Sequence, residues 1–170
     1  MSAPMPNNRE RIMHADDFIV SKTDTKGRIT YCNEIFMEMA QMKESELLGK
    51  PHSIVRHPDM PKVVFKLFWE HIQSGHEIFA YVKNISADGS YYWVCANVTP
   101  SYDVNRNIIG YYSVRTKPSD KALEVIKPLY EKLKSLETGG GITASETYLN
   151  NLLNEKGVSY DEFIVSLQAA

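Results

Sequence analysis

Pro58 and Pro61, in the stretch Val55-Arg56-His57-Pro58-Asp59-Met60-Pro61, decide how this chain can be divided into elements. Each proline fixes its own φ at about −65° and pushes the residue before it out of helical geometry. Neither a helix nor a central strand can run through 57–61, so a new element has to start just beyond. The same stretch places a cation (Arg56), an imidazole (His57) and a carboxylate (Asp59) side by side on stiffened backbone. Such a connector suits the wall of a binding site, and it suits a helix cap equally well. Asp59 stands where an N-cap is wanted, with Pro61 in the first turn of the helix that follows.

From Lys62 to Ser74 the apolar residues Val64, Phe65, Phe68, Trp69 and Ile72 recur at intervals of three and four. This spacing predicts an amphipathic helix that stops at Gly75. Ahead of the connector, Phe18-Ile19-Val20 and Arg28-Ile29-Thr30-Tyr31-Cys32 read as strands joined by the turn Asp24-Thr25-Lys26-Gly27, its glycine where positive φ is needed. Asn33 caps a short helix over 34–40, and a second over 44–48 ends at Gly49. Beyond the long helix, 77–85 and 90–100 flank the hairpin turn Asp88-Gly89, and a further strand covers 108–115. Two strands, a run of helices and three strands make an α+β fold: a five-stranded antiparallel sheet with helices packed on one face.

A helix after Pro118 carries Leu123, Ile126, Leu129, Leu133 and Leu136 on one side, with Ser119 or Asp120 as cap and a kink expected at Pro128. Gly139-Gly140-Gly141 reads as a flexible break. Thr143-x-x-Glu146 and Ser159-x-x-Glu162 are capping-box patterns around Gly157, so these C-terminal helices form a hairpin. That hairpin is too small to stand alone and needs cover for Tyr148, Leu149, Leu152, Phe163, Ile164 and Leu167. The expected organisation is an N-terminal arm over 1–15, mobile and leading into a short helical turn, a sensor domain over 16–117, a trailing helix over 118–137, a linker over 138–141, and the hairpin over 142–170.

Charge and composition exclude several classes. A net charge of −2 leaves no electrostatic footprint for nucleic acid. No apolar run reaches the ~20 residues of a membrane span, and Met1-Ser2-Ala3-Pro4 does not open a secretory signal, so a cytoplasmic protein without membrane insertion is expected. Cys32 and Cys95 have no CxxC spacing and fall in strand segments, where a buried free thiol is the common outcome. No nucleophile–base arrangement and no Gly-x-x-x-x-Gly-Lys loop supports an enzyme.

The layout resembles a PAS domain, and the wording resembles that of aerotaxis-receptor PAS domains. The matching blocks are 49–62 (Gly-Lys-Pro-His-Ser-Ile-Val-Arg-His-Pro-Asp-Met-Pro-Lys), Val82-Lys83-Asn84, Gly89–Val94 with Ala96-Asn97, and Gly110–Thr116. The resemblance covers about residues 17–135, includes Pro128-Leu129-Tyr130, and does not reach 139–170. It implies a redox or energy sensor that holds FAD non-covalently and signals by contact to a chemotaxis transducer. Carried over residue by residue, it marks Asn33, Arg56, His57, Asp59 and Trp69 as flavin-holding or flavin-reading positions. It also sets the Asn84 amide towards the ring. One departure is Ile78, where the family has a second tryptophan.

The residue types fit that implication: Trp69 offers a stacking face, Asn84 a two-sided amide, and Arg56 or His57 a positive charge. Bland roles compete: Trp69 as plain core, Asn84 as a satisfied strand end, Arg56–Asp59 as an ordinary ion pair. A light sensor of the LOV type needs a cysteine on the connector, and none lies between Cys32 and Cys95. Haem is the alternative cofactor, with His71 or His57 as axial ligand in a gas sensor. In a third reading the cavity is filled by Phe36, Phe65, Trp69 and Tyr81, and the fold is a ligand-free interaction module, such as a homodimer.

Overall fold

The computed structural model describes residues 3–169; Met1, Ser2 and Ala170, at the ends of the expected arm and hairpin, lie outside the described residues. Five strands form one antiparallel sheet in the order β2-β1-β5-β4-β3. These are β1 Ile19–Thr23, β2 Ile29–Cys32, β3 Ile78–Ile85, β4 Tyr91–Tyr102 and β5 Ile108–Thr116. Between β2 and β3 run α1 Glu34–Ala40, α2 Glu44–Leu47, a 3-10 turn over His52–Val55, and α3 Lys62–Gln73. After β5 come α4 Asp120–Lys156 and α5 Tyr160–Ala169.

The local signals act as their chemistry dictates. Asp24 closes the first turn, its Oδ1 accepting from the Lys26 and Arg28 amides at 2.9 Å each. Gly27 supplies φ +80° at its corner. Asn33 caps α1 by accepting from the Phe36 amide at 3.1 Å. Ser159 and Glu162 exchange the two bonds of a capping box ahead of α5, at 3.1 and 3.2 Å.

The start of α3 departs from expectation. Asp59 does not cap it; Pro61 takes the N-cap position and offers no side-chain acceptor. The acceptor comes from α4, where Glu137 Oε1 and Oε2 take the Lys62 and Val63 amides at 2.7 and 3.0 Å. Asp59 turns instead to Lys83 Nζ at 2.9 Å.

The long helix α4 differs from expectation at its glycines. Its backbone keeps helical φ/ψ through Pro128, where Pro128 and Glu124 face solvent while Ile126, Tyr130 and Leu133 are buried opposite. Only Gly141 leaves helical geometry, at φ 69° and ψ −168°, so Gly139 and Gly140 belong to the helix rather than to a three-residue break. Thr143 therefore lies inside a helix, and Glu146 pairs with Lys66 instead of closing a capping box.

The arm is not loose in the described part. It runs extended along the β3–β4 hairpin, with Asn7 N–H on Gly89 O at 3.0 Å, Tyr91 N–H on Arg9 O at 2.8 Å and Arg11 N–H on Tyr91 O at 2.7 Å. Arg11 also donates to the last carbonyls of α1, Glu38 and Met39, at 3.3 Å each. The helical turn expected after it is a single hydrogen-bonded turn, Asp17 N–H on His14 O at 3.0 Å.

Side chains alternate across the sheet. Ser21, Ala96, Val98, Ser113 and Arg115 point towards α1–α3, whereas Tyr81, Trp93 and Cys95 fall on the opposite phase, where α4 and α5 cover β3 and β4. The Tyr81 hydroxyl donates to Ile164 O at 3.3 Å, and the rings of Trp93 and Tyr130 meet at 5.9 Å. Of the apolar residues expected to need cover, Leu149, Phe163 and Ile164 are buried on this chain together with Leu153, Leu152 and Leu167 are half-buried, and Tyr148 stays exposed.

Candidate ligand cavity

The sheet and α3 do not close on each other. Between them lies a cavity of about 270 Å³. Its floor is Val82, Asn84, Ala96, Val98, Tyr111 and Ser113, its cover Phe65, Phe68, Trp69 and Ile72 from α3, and its rim Lys26, Gly27, Pro51 and Arg56. An apolar slot with a few convergent polar groups is the usual make-up of a small-molecule site.

Trp69 is placed by aromatic neighbours and by a glycine. It stands edge-on to Phe68 and to Tyr111, with ring centroids at 6.1 and 5.9 Å. Its six-membered ring presses on Gly27, where an added Cβ would lie 2.9 Å from Cη2. Asn84 is 4% exposed and sits beside Tyr92, whose hydroxyl burial pushes up to about 12. Arg56 stacks its guanidinium on Phe65, Cζ 3.4 Å from the ring centroid.

Three of the six residues singled out from the sequence therefore meet at this cavity: Arg56, Trp69 and Asn84. The other three are not among its lining residues. Asn33 is spent on the backbone, its Oδ1 taking the Phe36 and Val20 amides and its Nδ2 donating to Phe18 O at 2.8 Å. His57 is buried, accepts from the Asp59 amide at 3.0 Å through Nδ1, and lies edge-on to Tyr91. Asp59 is at the surface with Lys83, on the other side of the connector. The two candidate haem ligands, His57 and His71, are both away from the cavity. His71 Nδ1 bonds Leu67 O at 2.8 Å, and its Nε2 lies 3.8 Å from Asp161. No cluster suited to a metal ion occurs among the described residues.

Among the lining residues that the sequence reading did not single out, His52 and Arg115 form a hydrogen-bonded pair. Arg115 is 3% exposed, in the central strand β5. Its Nη1 donates to His52 Nε2 at 2.6 Å and its Nη2 to Ser21 Oγ at 2.7 Å, while its Nε has no partner. Since arginine is always the donor here, His52 carries its single proton on Nδ1. Burial, and then the charge of Arg115, push the His52 pKa down to about 3, so the ring is neutral. Arg115 is itself lowered to about 10 by burial and keeps its charge at neutral pH. The available signal was phase: Arg115 shares the inward phase of Tyr111 and Ser113 on a strand paired on both sides.

A flat heteroaromatic ring with acceptors on its edge fits these residues, which give it apolar faces, an amide, and a buried N–H without a partner. The volume falls just below the usual range of about 300–1,000 Å³, enough for a fused ring system but not for a dinucleotide with its tail. A tail would leave past the rim, where Lys26 and Arg56 supply positive charge.

Comparison with known proteins agrees with this fold. The PAS fold family matches residues 7–114. The aerotaxis receptor of Escherichia coli (strain K12) is 35% identical over 137 residues, which is 81% of this chain and 27% of the receptor. The biofilm dispersion protein BdlA of Pseudomonas aeruginosa is 30% identical over 81 residues, 47% of this chain and 19% of BdlA. The chain thus spans a minor part of the length of these relatives. Among solved structures, the light state of the blue-light photoreceptor Aureochrome1 LOV superposes with a TM-score of 0.60 at 19% identity, covering 65% of this chain and 88% of that one. A light-oxygen-voltage domain studied with a flavin analogue superposes with a TM-score of 0.57 at 20% identity, covering 68% and 86%. With its sheet order, its helical cover and a sequence match over most of its length, this chain belongs to the PAS fold family and is similar to the aerotaxis receptor.

Proposed function

We propose that this protein is a cytoplasmic redox or energy sensor that binds FAD in the cavity under α3 and signals by contact with a chemotaxis-type transducer. The observation that carries the reading is the hollow interior itself: Phe65 and Trp69 line about 270 Å³ of space rather than fill it, and Tyr81 faces the other way. The 35% identity to the aerotaxis receptor supports the choice of stimulus. Cys32 and Cys95, both buried free thiols, accord with a reducing compartment.

When bound, a flavin supplies a ring whose charge and edge hydrogen bonding change on reduction. The residues of this chain orient and read it. Trp69 and Phe68 flank the slot, Asn84 presents its amide from β3, and Lys26 and Arg56 at the rim would meet the phosphates. A change at the floor or cover has two short routes to α4. One runs through α3, held by Glu137 at its first amides and by Glu146 on Lys66. The other runs through β3, where Tyr130 holds Tyr81 O next to the cavity residue Val82. The exposed sides of α4 and α5 are the output surfaces in this reading.

An absorption spectrum of the purified full chain, before and after dithionite, tests it. The expected result is a pair of flavin bands that bleach on reduction. A Soret band would replace the reading with a haem sensor, and a colourless protein that takes up no added FAD would replace it with an interaction module.

A further inference from the structure

The most unusual group in the cavity wall is a charge that the fold does not balance. Arg115 is 97% buried by the measure of its 3% exposure, yet its two bonds go to neutral acceptors, Ser21 Oγ and His52 Nε2. No carboxylate pairs with it among the described residues. Its remaining face lies on the Phe36 ring, Cζ 4.7 Å from the centroid, and Nε–H has no partner. Burying a cation without a counter-charge is unfavourable, and an unmet donor adds to it. A residue that served only the fold would be better replaced by an apolar side chain of the same length.

Its neighbours hold it in place for another purpose. Ser21 and Ser113 stand opposite each other in the β1–β5 ladder, two positions before Arg115 along β5, and the Ser21 hydroxyl is 3.1 Å from His52 Nε2. Serine and histidine could thus satisfy each other if the guanidinium were removed. Both atoms instead fix the orientation of its fork, and His52 lines the cavity with it.

We propose that Arg115, oriented by Ser21 and neutral His52, is the residue that recognises the ligand, donating its Nε–H and presenting its charge to an acceptor on the ligand's ring edge. The ligand class is a planar heteroaromatic ring with carbonyl or imine acceptors, preferred where that edge carries negative charge. Arg115 is a specificity residue, and the cost of its burial is recovered only on binding. The identity of the ring rests on the flavin reading above; the role of Arg115 in the apoprotein does not.

The test compares full-length wild type, Arg115→Met and Arg115→Lys, each as apoprotein. FAD is titrated by quenching of its fluorescence, and thermal unfolding is followed without FAD. The expected result is at least tenfold weaker FAD binding by Arg115→Met, intermediate binding by Arg115→Lys, and an apoprotein Tm for Arg115→Met equal to or above wild type. Wild-type binding with less than tenfold loss in Arg115→Met overturns the proposal and leaves the flavin reading standing. A lower Tm or failure to fold in Arg115→Met, with Arg115→Lys stable and binding FAD like wild type, makes Arg115 structural and overturns it too. If wild type itself takes up no FAD, the flavin reading falls and the apoprotein Tm decides: a rise in Arg115→Met keeps the charge assigned to a different ring, and a fall overturns the assignment.

Discussion

The Tyr130 hydroxyl donates to the Tyr81 carbonyl at 2.6 Å, joining α4 to β3 in a buried interface. Tyr160 lies in the same interface with a buried hydroxyl that has no partner. Removing the two hydroxyls should therefore have opposite consequences. Tyr130→Phe strands a carbonyl and should lower unfolding free energy by about 1–3 kcal/mol. Tyr160→Phe removes an unmet polar group and should change stability by less than about 1 kcal/mol, in the favourable direction. Urea unfolding of both variants checks this; equal losses would mean that the hydroxyls share a bond.

Glu137→Ala takes away the acceptor for the first amides of α3. Loss of an N-cap acceptor costs about 1–2 kcal/mol, and Ser145, which donates to Glu137 Oε2 at 2.7 Å, keeps only its bond to Ile142 O at 3.0 Å. Hydrogen exchange at Lys62 and Val63 should speed up in this variant. Unchanged protection there would show that the cap is held by something else.

Gly27→Ala meets two obstacles. The backbone at φ +80° costs a non-glycine residue about 1–2 kcal/mol, and the new methyl would press on the Trp69 ring. Both a lower unfolding midpoint and a shifted tryptophan emission are expected. An unshifted emission would mean that the hairpin turn, rather than Trp69, gives way.

Trp69→Ala opens the cover of the cavity, and a flavin held there should be lost on gel filtration. Stoichiometric flavin retained by this variant would remove Trp69 from the site.

Acid should weaken the fold through His52. In the unfolded chain this group takes up a proton near its ordinary 6.5, but in the folded protein only near about 3. Between those values the unfolded state binds more protons, so stability falls as pH drops through that window and is complete above it. At ~1.4 kcal/mol per pH unit, going from about pH 7 to about pH 5 removes up to about 2 kcal/mol. His57, lowered by burial and by Lys83, acts with the same sign. Urea midpoints at both pH values, for wild type and His52→Gln, check the assignment: the variant should lose less, and an equal loss would place the effect elsewhere.

What could be read in the sequence was what neighbours along the chain decide. Asn33 caps α1 and Gly27 turns the first hairpin because their partners are a few residues away. The alternation and spacing of apolar residues were likewise enough for the five strands, for α3 and for the α+β class. What depended on distant partners was misread. The acceptor for α3 comes from Glu137, 75 positions beyond Lys62, so Asp59 was the best local candidate and the wrong one. The N-terminal arm looked loose because its bonds go to Gly89 and Tyr91. His52 and Arg115 escaped notice for the same reason: a strand residue and a connector residue, 63 positions apart, become neighbours only once the sheet register brings them together.

Gly141 gives the last part of the chain its angular setting. A helix turns by about 100° per residue, so adding or deleting one residue at this bend would rotate everything beyond it by that amount. Ser145 would swing away from Glu137, Glu146 from Lys66, and Leu149 and Leu153 out of the core. The spacing between the bend and these residues is therefore fixed to the single residue, although the bend itself has open space around its backbone. Substitutions that keep the length and allow positive φ at 141 preserve this phase, and changes of length do not.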